Sequence, residues 1–146
     1  MEYLYNFLQK TDNCIPKVNY EDVKISINNP SYLLINTLPN HEQSCLIYDT
    51  VNFAHEEQII NNLLNNNKMQ NIIIYGRNCN DISVYKKYKQ FSELGFSNVY
   101  IYLGGLFEWL LLQDIYGRDI FKTTSKELDI IKYKPLSILE KKRINY

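Results

Sequence analysis

Alanine is nearly missing from this chain of 146 residues, with Ala54 as its single instance. Asparagine, isoleucine, tyrosine and lysine are abundant instead. All four have A/T-rich codons, so the skew is read as the coding bias of an A/T-rich genome and carries no mechanism. Asn61, Asn62 and Asn65–Asn67 are accordingly drift at a helix end, not a prion-like tract. Net charge is also absent: sixteen basic residues cancel sixteen acidic ones, which removes the electrostatic case for nucleic acid or an anionic membrane. No stretch has ~20 uninterrupted apolar residues, so no membrane span is expected. Met1-Glu2-Tyr3 lacks the basic flank and apolar block of a signal peptide. The three cysteines, Cys14, Cys45 and Cys79, are odd in number and form no metal-like cluster; a reducing, cytoplasmic compartment is the expectation. His41 and His55 stand alone. There is no Walker loop, Gly-x-Ser-x-Gly elbow or His-Glu-x-x-His helix. No metal and no cofactor are expected.

Apolar runs and amphipathic segments are present, and they alternate. Glu2–Gln9 predicts a short helix through Leu4, Tyr5, Phe7 and Leu8. Val18 opens a small strand. Asn19 then stands as an N-cap before Tyr20-Glu21-Asp22, and Asn28-Asn29-Pro30 stops that helix; the alternation in Lys24–Asn28 also allows a strand. Tyr32–Asn36 reads as a buried strand, Pro39–Ser44 as a loop, and Cys45–Tyr48 with Val51–Phe53 as a short strand region. Ala54–Asn65 is a helix with Ile59, Ile60, Leu63 and Leu64 on one face and Glu56 and Glu57 in its first turn. Ile72–Tyr75 is a central strand, and Gly76–Asp81 a polar loop. Asp81 is placed to cap the helix Ile82–Leu94, which Gly95 ends. Val99–Leu103 is the next strand, and Leu106–Gln113 a helix apolar nearly all round, so either sandwiched in the core or partly covered by a partner. Strands separated by helices predict a parallel sheet with right-handed crossovers. Ligands of such sheets bind beyond the carboxyl ends of the strands, here at Gly76–Asp81. In the tail, Thr124-Ser125-Lys126-Glu127 and Ser137-Ile138-Leu139-Glu140 fit the capping-box pattern and predict two short helices separated by Pro135. Lys141-Lys142-Arg143 reads as cations in a last helical turn or as a basic docking patch.

The run Ile72–Tyr75 with Arg77, then Gly95-Phe96, Asn98-Val99-Tyr100, Gly104-Gly105 and Trp109, resembles the C-terminal half of a rhodanese domain. The order and spacing carry the resemblance, which spans roughly Val18 to Gln113 and is strongest from Ile72 to Trp109. It implies a rhodanese-like three-layer α/β/α domain with a central, mostly parallel sheet. The expected organisation is an N-terminal helical extension at 1–17, the domain at 18–113 and a C-terminal extension at 114–146. The resemblance also implies what is missing. Where the family has its nucleophilic cysteine, this chain has Gly76. Where the preceding strand ends in an Asp followed closely by an Arg, it has Asn36 and Leu38. Where an Arg often closes the loop, it has Asp81.

In a rhodanese, backbone N–H groups converge on a thiolate that takes sulfane sulfur from a donor and passes it on. Gly76 has no side chain for that step, although glycine admits backbone angles that cysteine does not. Cys79, with Arg77, is the candidate for a displaced nucleophile. Against it, Cys79 falls on the loop's rim, and Asp81 would repel an anionic donor. The related cysteine phosphatases need a leading cysteine and a closing arginine, and neither is present. The expected function is therefore a catalytically inactive rhodanese-like protein acting in protein binding or assembly. The alternative is a sulfurtransferase or thiol-redox enzyme using Cys79. The active-site-like loop comprises Gly76, Arg77, Asn78, Cys79, Asn80 and Asp81, and is expected to offer a place for a small anion. Leu106–Gln113 and the C-terminal extension are the expected surfaces for a protein partner or self-association. The Gly104–Gly117 ending also resembles rhodanese-like proteins encoded by giant DNA viruses, which implies a virion or virus-factory setting.

Overall fold

Three consecutive isoleucines favour an extended backbone, because β-branching restricts χ1 in a helix and packs well on a pleated surface. In the computed structural model, which describes residues 2–4, 6 and 15–139, they form the middle of a central strand. The elements in order are β1 (Lys17–Val18), α1 (Tyr20–Ser26), β2 (Tyr32–Asn36), α2 (Phe53–Asn66), β3 (Asn71–Tyr75), α3 (Ser83–Leu94), β4 (Val99–Tyr102) and α4 (Gly105–Tyr116). Two 3₁₀ turns lie at Asn40–Glu42 and Ile130–Tyr133. The strands pair in the order β1-β4-β3-β2, all parallel.

The pleat of β3 sends alternate side chains to opposite faces. Ile73 and Tyr75 join Val23 of α1, Leu34, Tyr102, and Leu106, Trp109 and Leu110 of α4. Ile72 and Ile74 join Ile35, Ile60 of α2, Val84 and Phe91 of α3, and Ile101. The result is the expected three-layer α/β/α architecture with a parallel sheet. Burying each such side chain contributes roughly 1.5–3 kcal/mol. Because every strand runs the same way, the ends of β2 and β3 deliver Asn36 and Tyr75 side by side. The loops that follow them face one another.

The helix boundaries have local causes. The Asn19 side chain accepts from Glu21 and Asp22 N–H, and Asp22 returns a bond to Asn19 N–H, a complete capping box. Gly95 adopts φ 106° while Phe96 N–H reaches Phe91 O at 3.2 Å, a Schellman end to α3.

Four expectations need correction. Val51–Phe53 is not a strand: Phe53 already belongs to α2, and only Thr50 bridges Leu34. Ile82 precedes α3 instead of opening it. α4 is longer than read, Gly105–Tyr116; the core face allowed for it is present, with Leu106, Trp109 and Leu110 fully buried. Thr124–Glu127 does not start a helix, because its hydroxyls are used elsewhere. Thr124 Oγ1 accepts from Leu46 N–H at 3.0 Å, Ser125 Oγ donates to Ser44 O at 2.8 Å, and Thr124 N–H reaches Leu46 O at 2.8 Å. The segment pairs antiparallel with Cys45–Tyr48 through the Ile47–Thr123 bridge. Ile138 and Leu139 are helical where the second tail helix was expected, and its remainder lies outside the described residues. So does half of the Glu2–Gln9 helix, whose described residues 2–4 and 6 are helical.

Trp109 ties α4 to the tail. Its ring meets Tyr102 and Phe121 edge-on, with centroids 6.5 Å and 5.0 Å away, and its Nε1–H donates to Lys122 O at 3.0 Å. Trp109→Ala should cost about 3–5 kcal/mol by urea unfolding. Trp109→Phe should cost about 1 kcal/mol, the loss of one hydrogen bond and some ring contact, since Lys122 O still accepts from Tyr48 N–H at 3.0 Å.

Candidate functional site

The site is the turn from β3 into α3, residues Gly76–Asp81. Tyr75 fixes its entrance. The Tyr75 hydroxyl sits 2.7 Å from Thr50 Oγ1 and accepts from Ile47 N–H at 3.1 Å, while Tyr75 O accepts from Thr37 N–H at 2.9 Å. Complete burial pushes the Tyr75 phenol well above its ordinary range.

α4 fixes the loop from one side. Leu106 N–H donates to Gly76 O and Phe107 N–H to Arg77 O, both at 2.9 Å. Two N–H groups that a helix start would leave orphaned are thereby spent on the loop's carbonyls. Gly105 makes that approach possible. Its φ is +66°, and a Cβ there would lie 2.7 Å from Gly76 O and 2.9 Å from Asn78 N. A side chain at 105 is excluded by both angle and space.

Asp81 fixes the loop from within. Its Oδ1 accepts from Ser83 N–H at 3.0 Å and from Ser83 Oγ at 2.5 Å, and Ser83 Oγ lies 2.7 Å from Thr37 Oγ1. Its Oδ2 accepts from Arg77 N–H at 3.0 Å. Asp81 thus caps α3 through its side chain, two residues before the helix begins. The same carboxylate lies in the direction a side chain at 76 would take: a Cβ on Gly76 would overlap Oδ2, with Asp81 Cγ at 2.8 Å and Thr37 Oγ1 at 3.0 Å. Gly76 itself lies outside the left-handed region. The angular freedom expected of it is not used; what glycine provides here is room.

Arg77 and Asn78 point to the tail. The Arg77 guanidinium pairs with Glu42, donates to Lys132 O and stands 5.6 Å from the Tyr133 ring centre. Asn78 Nδ2–H donates to Tyr133 O at 2.9 Å. Arg77 is committed to holding the chain together. Glu42 Oε2 is buried with no hydrogen-bond partner among the described residues. Where the resemblance implied an Asp–Arg brace, Asn36 exchanges amide bonds with Gln43 at 2.8 and 3.1 Å, and its Oδ1 accepts from Leu38 N–H at 3.0 Å. A neutral amide pair does the bracing.

Cys79 is exposed, its Sγ 3.9 Å from Asn80 Oδ1. Cys45 is buried against Ser125 O, and burial pushes its thiol up. Cys14 lies outside the described residues. Among the described residues no group of His, Cys, Asp and Glu could hold a metal, and no helix is long and apolar enough to cross a membrane. A groove of about 720 Å³ runs between Asn78, Asn80 and Asp81 on one side and Ile131, Leu136 and Ile138 on the other. Sequence reasoning missed Glu42, Ser83, Thr37 and Tyr133. Ser83 was within reach of it, because an Asp two residues before a Ser is a local capping signal. The others come from 35 or more residues away, and no local pattern announces them.

A model of the rhodanese-like domain family matches residues 20–112. The chain belongs to the rhodanese-like domain family. No curated protein sequence matches it significantly. Among solved structures it resembles the rhodanese-like domain of an Anabaena sp. protein, with 17% identity and a TM-score of 0.53, over 84% of this chain and 86% of that one. A crystal structure of the same Anabaena protein gives 16% identity and 0.54, over 79% and 97%. A Bacillus halodurans protein gives 13% identity and 0.57, over 89% and 98%. At these identities the likeness concerns the fold.

Within this rhodanese-like domain, Arg77→Ala should lower stability by about 2 kcal/mol in urea, because it strands a mostly buried Glu42. It should also expose the 126–139 segment to trypsin. Arg77→Lys should recover less than half of the loss, since a point charge cannot serve the carboxylate and the Lys132 carbonyl together.

Proposed function

We propose that this is a non-catalytic member of the rhodanese-like family, working in the cytoplasm through protein binding or assembly. One observation carries the reading: the space a nucleophile at position 76 would need is filled by the Asp81 carboxylate. Arg77, the remaining charged group of the loop, is engaged with Glu42 and the tail. What the molecule offers instead is contact surface. Ile131, Leu136, Ile138 and Leu139 stand more than half exposed along the tail beside the groove, a cluster that suits a protein partner. The tail is favoured over the Leu106–Gln113 surface, whose main apolar side chains are spent on the core. In the viral reading the partner belongs to the virion or its assembly site.

A second reading rests on family membership and on the exposed thiol of Cys79 in the same loop: a thiosulfate or persulfide sulfurtransferase with a displaced nucleophile. Sulfane-sulfur transfer from thiosulfate to cyanide, followed by mass spectrometry, separates the two. The expected outcome is no turnover above the protein-free rate and no persulfide, with Cys79→Ser identical to wild type. A persulfide on Cys79 and turnover that both vanish in Cys79→Ser would establish the enzyme instead.

A further inference from the structure

We infer that the Asp81 carboxylate is the resident anion of the 76–81 loop, an internal plug that closes the loop to external anions and makes glycine obligatory at position 76. This deepens the non-catalytic reading and rests on it. A capping residue needs one oxygen, and Oδ1 supplies it to Ser83 N–H and Oγ. Oδ2 does something a cap does not: it turns back four residues and accepts from Arg77 N–H, the second amide after β3. The carboxylate therefore spans the loop from its second residue to the start of α3. It takes its donors from both ends, as a bound oxyanion would. Its position overlaps that of any Cβ on residue 76. Since Gly76 is not in the left-handed region, space alone forbids a side chain there while Asp81 is seated. The anion foreseen for this loop is then part of the chain.

A stability cycle tests this without reference to catalysis, so its outcome is separate from that of the sulfur-transfer assay. Asparagine caps a helix as well as aspartate, so a mere cap predicts that Asp81→Asn is close to neutral. The plug predicts a fall in Tm of about 4 °C or more, because an amide aligned for Ser83 turns its NH₂ toward Arg77 N–H. Gly76→Ala should fall by a similar amount, by evicting the same oxygen. The double variant should lie within about 1 °C of the worse single variant, since the second change has nothing left to remove. Additive losses, or a neutral Asp81→Asn, would overturn the proposal. A second arm uses sodium thiosulfate against sodium chloride at matched ionic strength. Asp81→Ala should gain Tm in thiosulfate while wild type does not; an equal gain in both, or none in the variant, would also overturn it.

Discussion

A parallel sheet ends with all its polar strand termini on one edge, and every buried N–H and C=O there must find a partner. In this molecule one carboxylate meets much of that demand. Asp81 takes the second amide after β3 and the first amide of α3, and it orients Ser83 toward Thr37 just past the end of β2. The loop carbonyls are answered by α4, whose close approach depends on Gly105. Three elements are thereby locked around six residues with no ligand required. A loop that holds a sulfur anion in catalysis must keep donors waiting for it; here the donors at both ends are already occupied.

The tail completes the enclosure by a different route. Its Thr123–Ser125 segment pairs with Leu46–Ile47 like an added strand, and Phe121 packs on Trp109. The chain then returns over the loop, where Arg77 and Asn78 hold the carbonyls of Lys132 and Tyr133 and the Tyr133 side chain is buried. Phe121, Thr123 and Tyr133 are therefore buried parts of the tail, packed onto the layers that precede them. Arg77 is a clamp between the loop and the tail.

The layered fold was legible because its causes are local or periodic: the Ile72–Tyr75 run, the Asn19 cap, the Gly95 stop and the alternation of strands with helices. Departures arose where a distant segment outbid a local preference. Thr124-Ser125-Lys126-Glu127 has a sound capping-box pattern, yet its hydroxyls bond to Ser44 and Leu46, some 78 to 81 residues away. The site was half legible. The loop's limits and the capping role of Asp81 follow from spacing. The second use of Asp81 depends on how the chain turns after Tyr75, and the Arg77–Glu42 pair on the whole α2 and β3 excursion between them. The sequence shows only the backbone angles that glycine at 76 permits; the three-dimensional arrangement adds that the space beside it is taken by Asp81.

That distinction bears on Cys79. A reactive cysteine needs a positively polarised setting that stabilises the thiolate. The loop's own cation, Arg77, is paired with Glu42 and stands beside the Tyr133 ring, and the donors at the loop's two ends are turned to Asp81. The Cys79 thiol lies outside that arrangement, exposed and 3.9 Å from the Asn80 side-chain oxygen. Shifting the nucleophile by three residues would therefore require moving the field as well as the sulfur. The carboxylate that holds the loop together is the group that stands in the way.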